Sequence, residues 1–330
     1  MPELPISLAA SIDTLVGEHD RRELEAAAAR VSEAYRGQGR DASRAARTAV
    51  DVAAYLAVRA PATFSATAAA LDQIRLLRAD WQPRSVLDLG AGPGVASWAA
   101  AVAWPTIAEF MLVDAEPEMI AAGRRLAAAG RLANATWVRS DALAPEGTAD
   151  LVLASYVLGE IEEGHREAIA RKLWSSTTGT LVLVEPGTPA GYARIIAARR
   201  AVLADGGFTV APCPHDADCP LIGDDWCHFA TRLPRGDVHR AVKRVSRGFE
   251  DEKFSYAALS REPGERATAR IIRPPLVRSG HVYLDTCEAG GVARRIVTRR
   301  DASAYRAARK AGWGDVLAVG PKSTPDGELS

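Results

Sequence analysis

The chain has 330 residues, 48% of them hydrophobic and 25% charged, with 41 Lys and Arg balanced by 41 Asp and Glu. That length and balance exclude a disordered chain and allow one elaborated domain or two. No run approaches the ~20 apolar residues of a membrane span. The first twenty residues, MPELPISLAASIDTLVGEHD, carry no basic leader followed by an apolar core, so a cytoplasmic protein without a membrane partner is expected.

Residues 1–80 read as a helical N-terminal region, with apolar positions at helical spacing in LEAAAARVSEAY and TAAALDQIRLL. Gly37-Gln38-Gly39 breaks this pattern, and Pro61 marks a helix start or kink. From residue 81 to 205, strands alternate with helices. SVLDLG, FMLVDAE, ATWVRSDA, DLVLASYVL and GTLVLVEPG are the strands, each but the third followed by a helical segment. Apolar strands alternating with helices predict an α/β fold with a parallel, doubly wound sheet. Residues 206–250 interrupt it with a cysteine-rich, basic insert. Residues 251–320 return to strands, a hairpin and a basic C-terminal helix, and 321–330 read as a frayed tail.

Gly90, Gly92 and Gly94 lie between a strand and a helix, where a missing side chain lets a ligand approach the backbone. With Asp88 two residues upstream, SVLDLGAGPG resembles motif I of class I S-adenosylmethionine (SAM) methyltransferases. A dinucleotide site would carry Gly-x-Gly-x-x-Gly instead. Asp88, Gly90, Ala91, Gly92 and Gly94 are therefore candidate cofactor residues. Asp114, at the end of the second strand, can accept from ribose hydroxyls. The resemblance places Asp141, after the third strand, against the adenine. After the fourth strand, Ser155-Tyr156-Val157-Leu158 stands where base-amino methyltransferases carry Asn/Asp-Pro-Pro-aromatic, and no cysteine is there for carbon methylation. No catalytic residue is assigned.

All four cysteines lie in the C-terminal half: Cys213, Cys219 and Cys227 in CPHDADCPLIGDDWCHF, and Cys287 after HVYLDT. In a reducing compartment clustered thiols more often bind metal than pair as disulfides. Four thiolates suit tetrahedral zinc or an iron–sulfur cluster, and these spacings are too wide for a Cys-x2-Cys zinc knuckle. His215 and His228 are possible substitute ligands. From His228 to Lys310 there are 19 Lys and Arg against 9 Asp and Glu. That excess fits a polyanionic partner or, more plainly, a solvated basic surface. Arg232, Arg235, Arg240, Lys243, Arg244 and Arg247 are expected on a helix, and Arg306, Arg309 and Lys310 on the last one. Trp226, His228 and Phe229 are candidates for base stacking or for packing around the metal site.

Together RAPATFSA (59–66), SVLDLGAGPG (85–94), CPHDADCP (213–220), DDWCHF (224–229), GHVYLDTCEAGG (280–291) and AYRAARKAGWGD (304–315) resemble the ribosomal small-subunit Rsm-type family. That family comprises a mitochondrial methyltransferase-like assembly factor and its bacterial relatives. The resemblance implies a class I methyltransferase fold, a four-iron–four-sulfur cluster on the four cysteines, and a role on small-subunit rRNA during ribosome assembly, with no DNA partner. Two other functions stay open: an active rRNA methyltransferase, and a small-molecule SAM methyltransferase with a zinc-stabilised lid.

Overall fold

The computed structural model describes residues 3–36, 46–128, 130–140, 147–221, 223–234, 249–317 and 319–320. Four helices come first: α1 (Ile6–Gly17), α2 (Arg21–Arg36), α3 (Ala49–Val58) and α4 (Ala60–Leu77). Thr48 caps α3 by accepting from the Asp51 N–H, and Pro61 occupies the first turn of α4, where its missing N–H costs nothing. Gly37-Gln38-Gly39 lies outside the described residues.

The chain then alternates: β1 (Ser85–Leu89), α5 (Val95–Ala103), β2 (Glu109–Asp114), α6 (Pro117–Ala127), β3 (Thr136–Arg139), β4 (Ala149–Ser155), α7 (Arg166–Ser175), β5 (Thr177–Pro186) and α8 (Pro189–Ala204). Next come β6 (Phe208–Ala211), β7 (Phe229–Pro234) and β8 (Phe249–Ser260). The sheet runs β3-β2-β1-β4-β5-β8-β6, and β7 pairs with the first half of β8. β1 to β5 are parallel, whereas β8 runs antiparallel to β5, β6 and β7.

Both faces of this sheet are covered, so its strands are apolar at successive positions rather than alternating. Val86, Leu112, Leu151, Leu153 and Val184 face α1 to α6. Leu87, Leu89, Val152, Leu181 and Leu183 face α7 and α8. The N-terminal helices share the first core: α4 lies along α5, β7 and β8 with Phe64, Leu71 and Ile74 fully covered. Each such side chain is worth about 2–3 kcal/mol of burial.

The C-terminal part forms a second, four-stranded sheet. Its strands are β10 (Ala269–Ile271), β11 (Leu276–Arg278), β12 (His281–Glu288) and β13 (Gly291–Thr298). β12 pairs with β10 and β11 on one side and β13 on the other. α9 (Ala302–Ala308), capped by Asp301, covers one face through Tyr305 and Ala308. β9 (Arg266–Ala267) pairs with β14 (Val319–Gly320). No helix among the described residues is long and apolar enough to cross a membrane.

Candidate functional sites: a cofactor cleft and a four-cysteine cavity

The strand order reverses between β1 and β4, and a cleft opens there, at the carboxyl ends of the strands. Gly90, Gly92 and Gly94 all have left-handed φ, at 64°, 54° and 81°. The three glycines answer different needs. A Cβ on Gly90 would stand 2.5 Å from Val157 Cγ2, and one on Gly94 2.7 Å from Leu112 Cδ2. A Cβ on Gly92 would meet only Met119 Sδ, at 4.0 Å, so Gly92 borders open space. Ala91 is buried, its N–H donating to the Val113 carbonyl, which fixes the loop to β2.

Asp114 lines the cleft and organises it. Its Oδ2 accepts from the Gly92 N–H at 2.7 Å and its Oδ1 from the Glu116 N–H at 2.9 Å. Burial raises its pKa against the pull of these two bonds. Asp88 sits elsewhere: it is 1% exposed, lies beneath the loop, and its Oδ2 accepts from the Ser97 hydroxyl at 2.7 Å. Burial pushes it up to about 7, and its Oδ1 has no hydrogen-bond partner. Asp88 is thus a support tying β1 to α5 rather than a lining residue. Asp141 lies outside the described residues.

The cleft is also lined by Glu116 and Glu160, which no motif marked, by Tyr156 of the Ser155–Leu158 stretch and by Arg59. Glu160 is pushed up to about 8, chiefly by burial and then by the charges of Asp114, Glu185 and Glu116. Tyr156 has a φ of 62°, the one positive φ outside glycine among the described residues. Such strain persists only where the surroundings hold it. Here its O–H donates to Glu252 Oε1 at 3.0 Å, and Arg59 pairs with the same carboxylate at 3.2 Å. The cleft is therefore acidic on the loop side and closed by a Tyr–Glu–Arg network opposite.

The second site gathers all four cysteines around one cavity. Cys213 follows β6, Cys219 stands in the loop after it, Cys227 precedes β7, and Cys287 lies on β12. All are free thiols. Burial pushes the Cys213 and Cys227 thiols up, and Cys287 up to about 12. The Tyr192 O–H, on α8, donates to Cys219 Sγ at 3.0 Å. His215 Nε2 lies 3.6 Å from Cys287 Sγ. Among the described residues no group of three His, Cys, Asp or Glu is arranged to hold one metal ion.

The aromatic residues beside the cysteines pack on the protein itself. Trp226 stacks on His228 at 5.2 Å and donates to the Gly187 carbonyl, and Phe229 is buried against Phe254 and Tyr256. Arg232 is bound to Asp251 and lies over Phe249. Arg235, Arg240, Lys243, Arg244 and Arg247 lie outside the described residues.

The strand order, the glycine loop at the switch point and the carboxylate ending β2 define a class I methyltransferase fold. The chain belongs to the family described as mitochondrial small ribosomal subunit Rsm22, whose model matches residues 49–318. It is 30% identical over 287 residues to the human mitochondrial ribosome assembly protein METTL17, covering 80% of this chain and 62% of the relative. It is 28% identical over 334 residues to the mitochondrial Rsm22-cox11 tandem protein 2 of Schizosaccharomyces pombe, covering 84% of this chain and 44% of the relative. The chain thus spans less than two thirds of either relative. Among solved structures it is similar to the magnesium protoporphyrin IX methyltransferase of Synechocystis with bound SAM, at TM-score 0.40 and 16% identity over 61% of this chain and 80% of that one. The cytoplasmic expectation is corrected by these findings: the family and both relatives carry mitochondrial names. That expectation rested only on the first twenty residues, and where a sequence begins does not fix a compartment.

Proposed function

We propose that this protein is a small-subunit ribosome assembly factor on a methyltransferase scaffold. It holds SAM between Gly92, Asp114 and Glu160, and a four-iron–four-sulfur cluster on Cys213, Cys219, Cys227 and Cys287. The observation that carries the assembly role is family membership over residues 49–318, a span that includes the cleft and every cysteine. The cleft suits the ligand chemically. SAM carries a sulfonium and an ammonium, and Asp114, Glu116 and Glu160 offer carboxylates. Gly92 leaves room at the backbone, and each Asp114 oxygen keeps a lone pair for a ribose hydroxyl. When bound, SAM supplies an electrophilic methyl group.

The cysteine cavity suits a metal centre by its donors: four soft thiols, three from the β6–β7 connection and one from β12. Iron–sulfur is favoured over zinc by the family resemblance, and iron and sulfide analysis of protein purified without oxygen decides between them.

An RNA partner is supported by the open face of the C-terminal sheet. Leu276, Tyr283 and Ile296 are in register across β11, β12 and β13, with Arg278 beside them. Between Leu276 and Lys310 there are eight Lys and Arg against three acids. Two of those acids, Asp285 and Glu288, already pair with Arg294 and Arg295. Arg278 ends β11 and Arg299 and Arg300 follow β13, so the aromatic sits on a sheet edged by cations, a platform for an unpaired base and its phosphates.

The test incubates anaerobically purified protein with methyl-labelled SAM and small-subunit precursors from a strain lacking the gene. Stable association without label supports the assembly role proposed here. Label in rRNA would establish a methyltransferase, and failure to bind precursors even at low salt would favour the small-molecule reading.

A further inference from the structure

Arg199 and Arg270 are among the most buried side chains of the protein, at 3% and 1% exposure. Both line the four-cysteine cavity. Arg199, on α8, donates to the carbonyls of Ala217 and His215. Arg270, on β10, donates to the carbonyls of Pro212 and Gly314 and to Gln73 of α4. Every one of these acceptors is neutral, and neither arginine pairs with a carboxylate among the described residues. Each also keeps an unpartnered buried nitrogen, Nε of Arg199 and Nη2 of Arg270. A buried guanidinium without a counter-charge is strongly disfavoured, and here two face one cavity.

We infer that the cavity is built for an occupant carrying two negative charges, and that Arg199 and Arg270 supply its counter-charge. Four thiolates around a core of two positive charges carry that net charge, whether the core is a four-iron–four-sulfur cluster or a zinc ion. The inference rests on the reading that the cysteines hold a metal centre, and not on which metal. It assigns the arginines a positioning and electrostatic role. Because they come from α8 and β10, elements on either side of the cysteines, the centre and its counter-charge together join the two sheets.

The test compares Arg199→Gln and Arg270→Gln with Arg199→Lys and Arg270→Lys in the full chain, purified without oxygen. Iron, sulfide and zinc content of the unmutated protein judges the cluster reading separately. With a cluster present, its midpoint potential is followed by electron paramagnetic resonance during reductive titration. The Gln variants are expected to shift to more negative potential, because a lost cation destabilises the more negative reduced state. The Lys variants should stay near the unmutated value. With zinc present, the readout is the rate of metal release to a chelator, expected faster for Gln and restored by Lys. A purely structural role predicts that Lys fails like Gln, since one ammonium cannot reproduce the separated nitrogens with which the guanidinium reaches its carbonyls. That outcome, or a Gln variant with unchanged potential and release, overturns the proposal. Arg199 sits on a continuous helix, so its Gln variant carries the test if Arg270→Gln does not fold.

Discussion

At the scale of single residues, two buried acids give the protein a pH dependence. Asp88 passes from an ordinary value of 3.8 to about 7 on folding, so the folded state holds its proton more tightly than the unfolded chain. Its stabilising contribution is complete below about pH 4 and is lost as pH rises toward 7, a loss of a few kcal/mol. Glu160 behaves alike from 4.5 to about 8. Thermal midpoints should therefore fall between pH 5 and 8. Asp88→Asn should flatten the lower part of that fall and Glu160→Gln the upper part; unchanged slopes would remove these residues as the cause. Ligand affinity should move the other way. An ionised Glu160 attracts a cation, so SAM is expected to bind several-fold tighter at pH 8.5 than at pH 6.5, and Glu160→Gln to lose that gain in calorimetric titration. Asp88 was visible in the sequence through its motif, yet its role was not. A carboxylate pointing at Ser97 under the loop and one pointing into the cleft read the same along a chain. Glu160, Arg199 and Arg270 carried no such motif. Arg199 lies in GYARIIAARRAVL beside Arg200, which faces solvent, and only the packing of α8 tells the two apart.

Among elements, the parallel half was the most legible. β1, β2, β4 and β5 fall within three residues of the apolar runs that announced them, because strands buried on both faces have no polar register to hide them. The β12–β13 hairpin was equally plain, its turn shortened to Ala289-Gly290. β6 and β7 were missed: four and six residues long, they sit beside Pro- and Cys-rich stretches and owe their existence to β8. The glycine loop shows how the element scale decides substitutions. Gly94→Ala drives a methyl into Leu112 and Trp137 and should lower the melting temperature markedly. Gly92→Ala meets open space in the ligand-free protein and costs only the left-handed backbone, about 1 kcal/mol. It should therefore leave the fold intact and abolish SAM binding. If Gly92→Ala binds normally, the ligand does not lie against this turn. On the C-terminal sheet, Tyr283→Ala should weaken binding to single-stranded rRNA fragments, whereas Phe229→Ala, a core change, should act through stability.

Across the whole molecule, the four-cysteine centre joins parts of very unequal strength. The main sheet has two large cores, while the C-terminal sheet has a small one made of Ile271, Val282, Leu284, Tyr305 and Ala308. So few buried side chains supply little beyond the entropy of ordering the strands they come from. Cys213, Cys219 and Cys227 belong to the main-sheet side and Cys287 to β12, so a shared metal centre closes a loop of about 75 residues. A single crosslink of that length restrains the unfolded chain by roughly 4–5 kcal/mol. Metal removal should then act unevenly. In metal-depleted protein, or in Cys287→Ser, hydrogen exchange is expected to rise first through β11, β12 and β13, with β1, β4 and β5 still protected. Limited proteolysis should cut within 276–310 and leave the methyltransferase-like body standing. SAM affinity, set at the β1–β4 switch point rather than at the β6–β8 edge, should change less than twofold, while association with small-subunit precursors is lost. If exchange instead rises uniformly, the centre is part of the main core rather than its clasp. If β12 and β13 keep full protection without metal, the sheet is held by its direct contacts to the main-sheet side, among them the Arg270 bonds to Pro212 and Gln73, the Arg273–Asp225 pair and the His228–Trp313 ring contact.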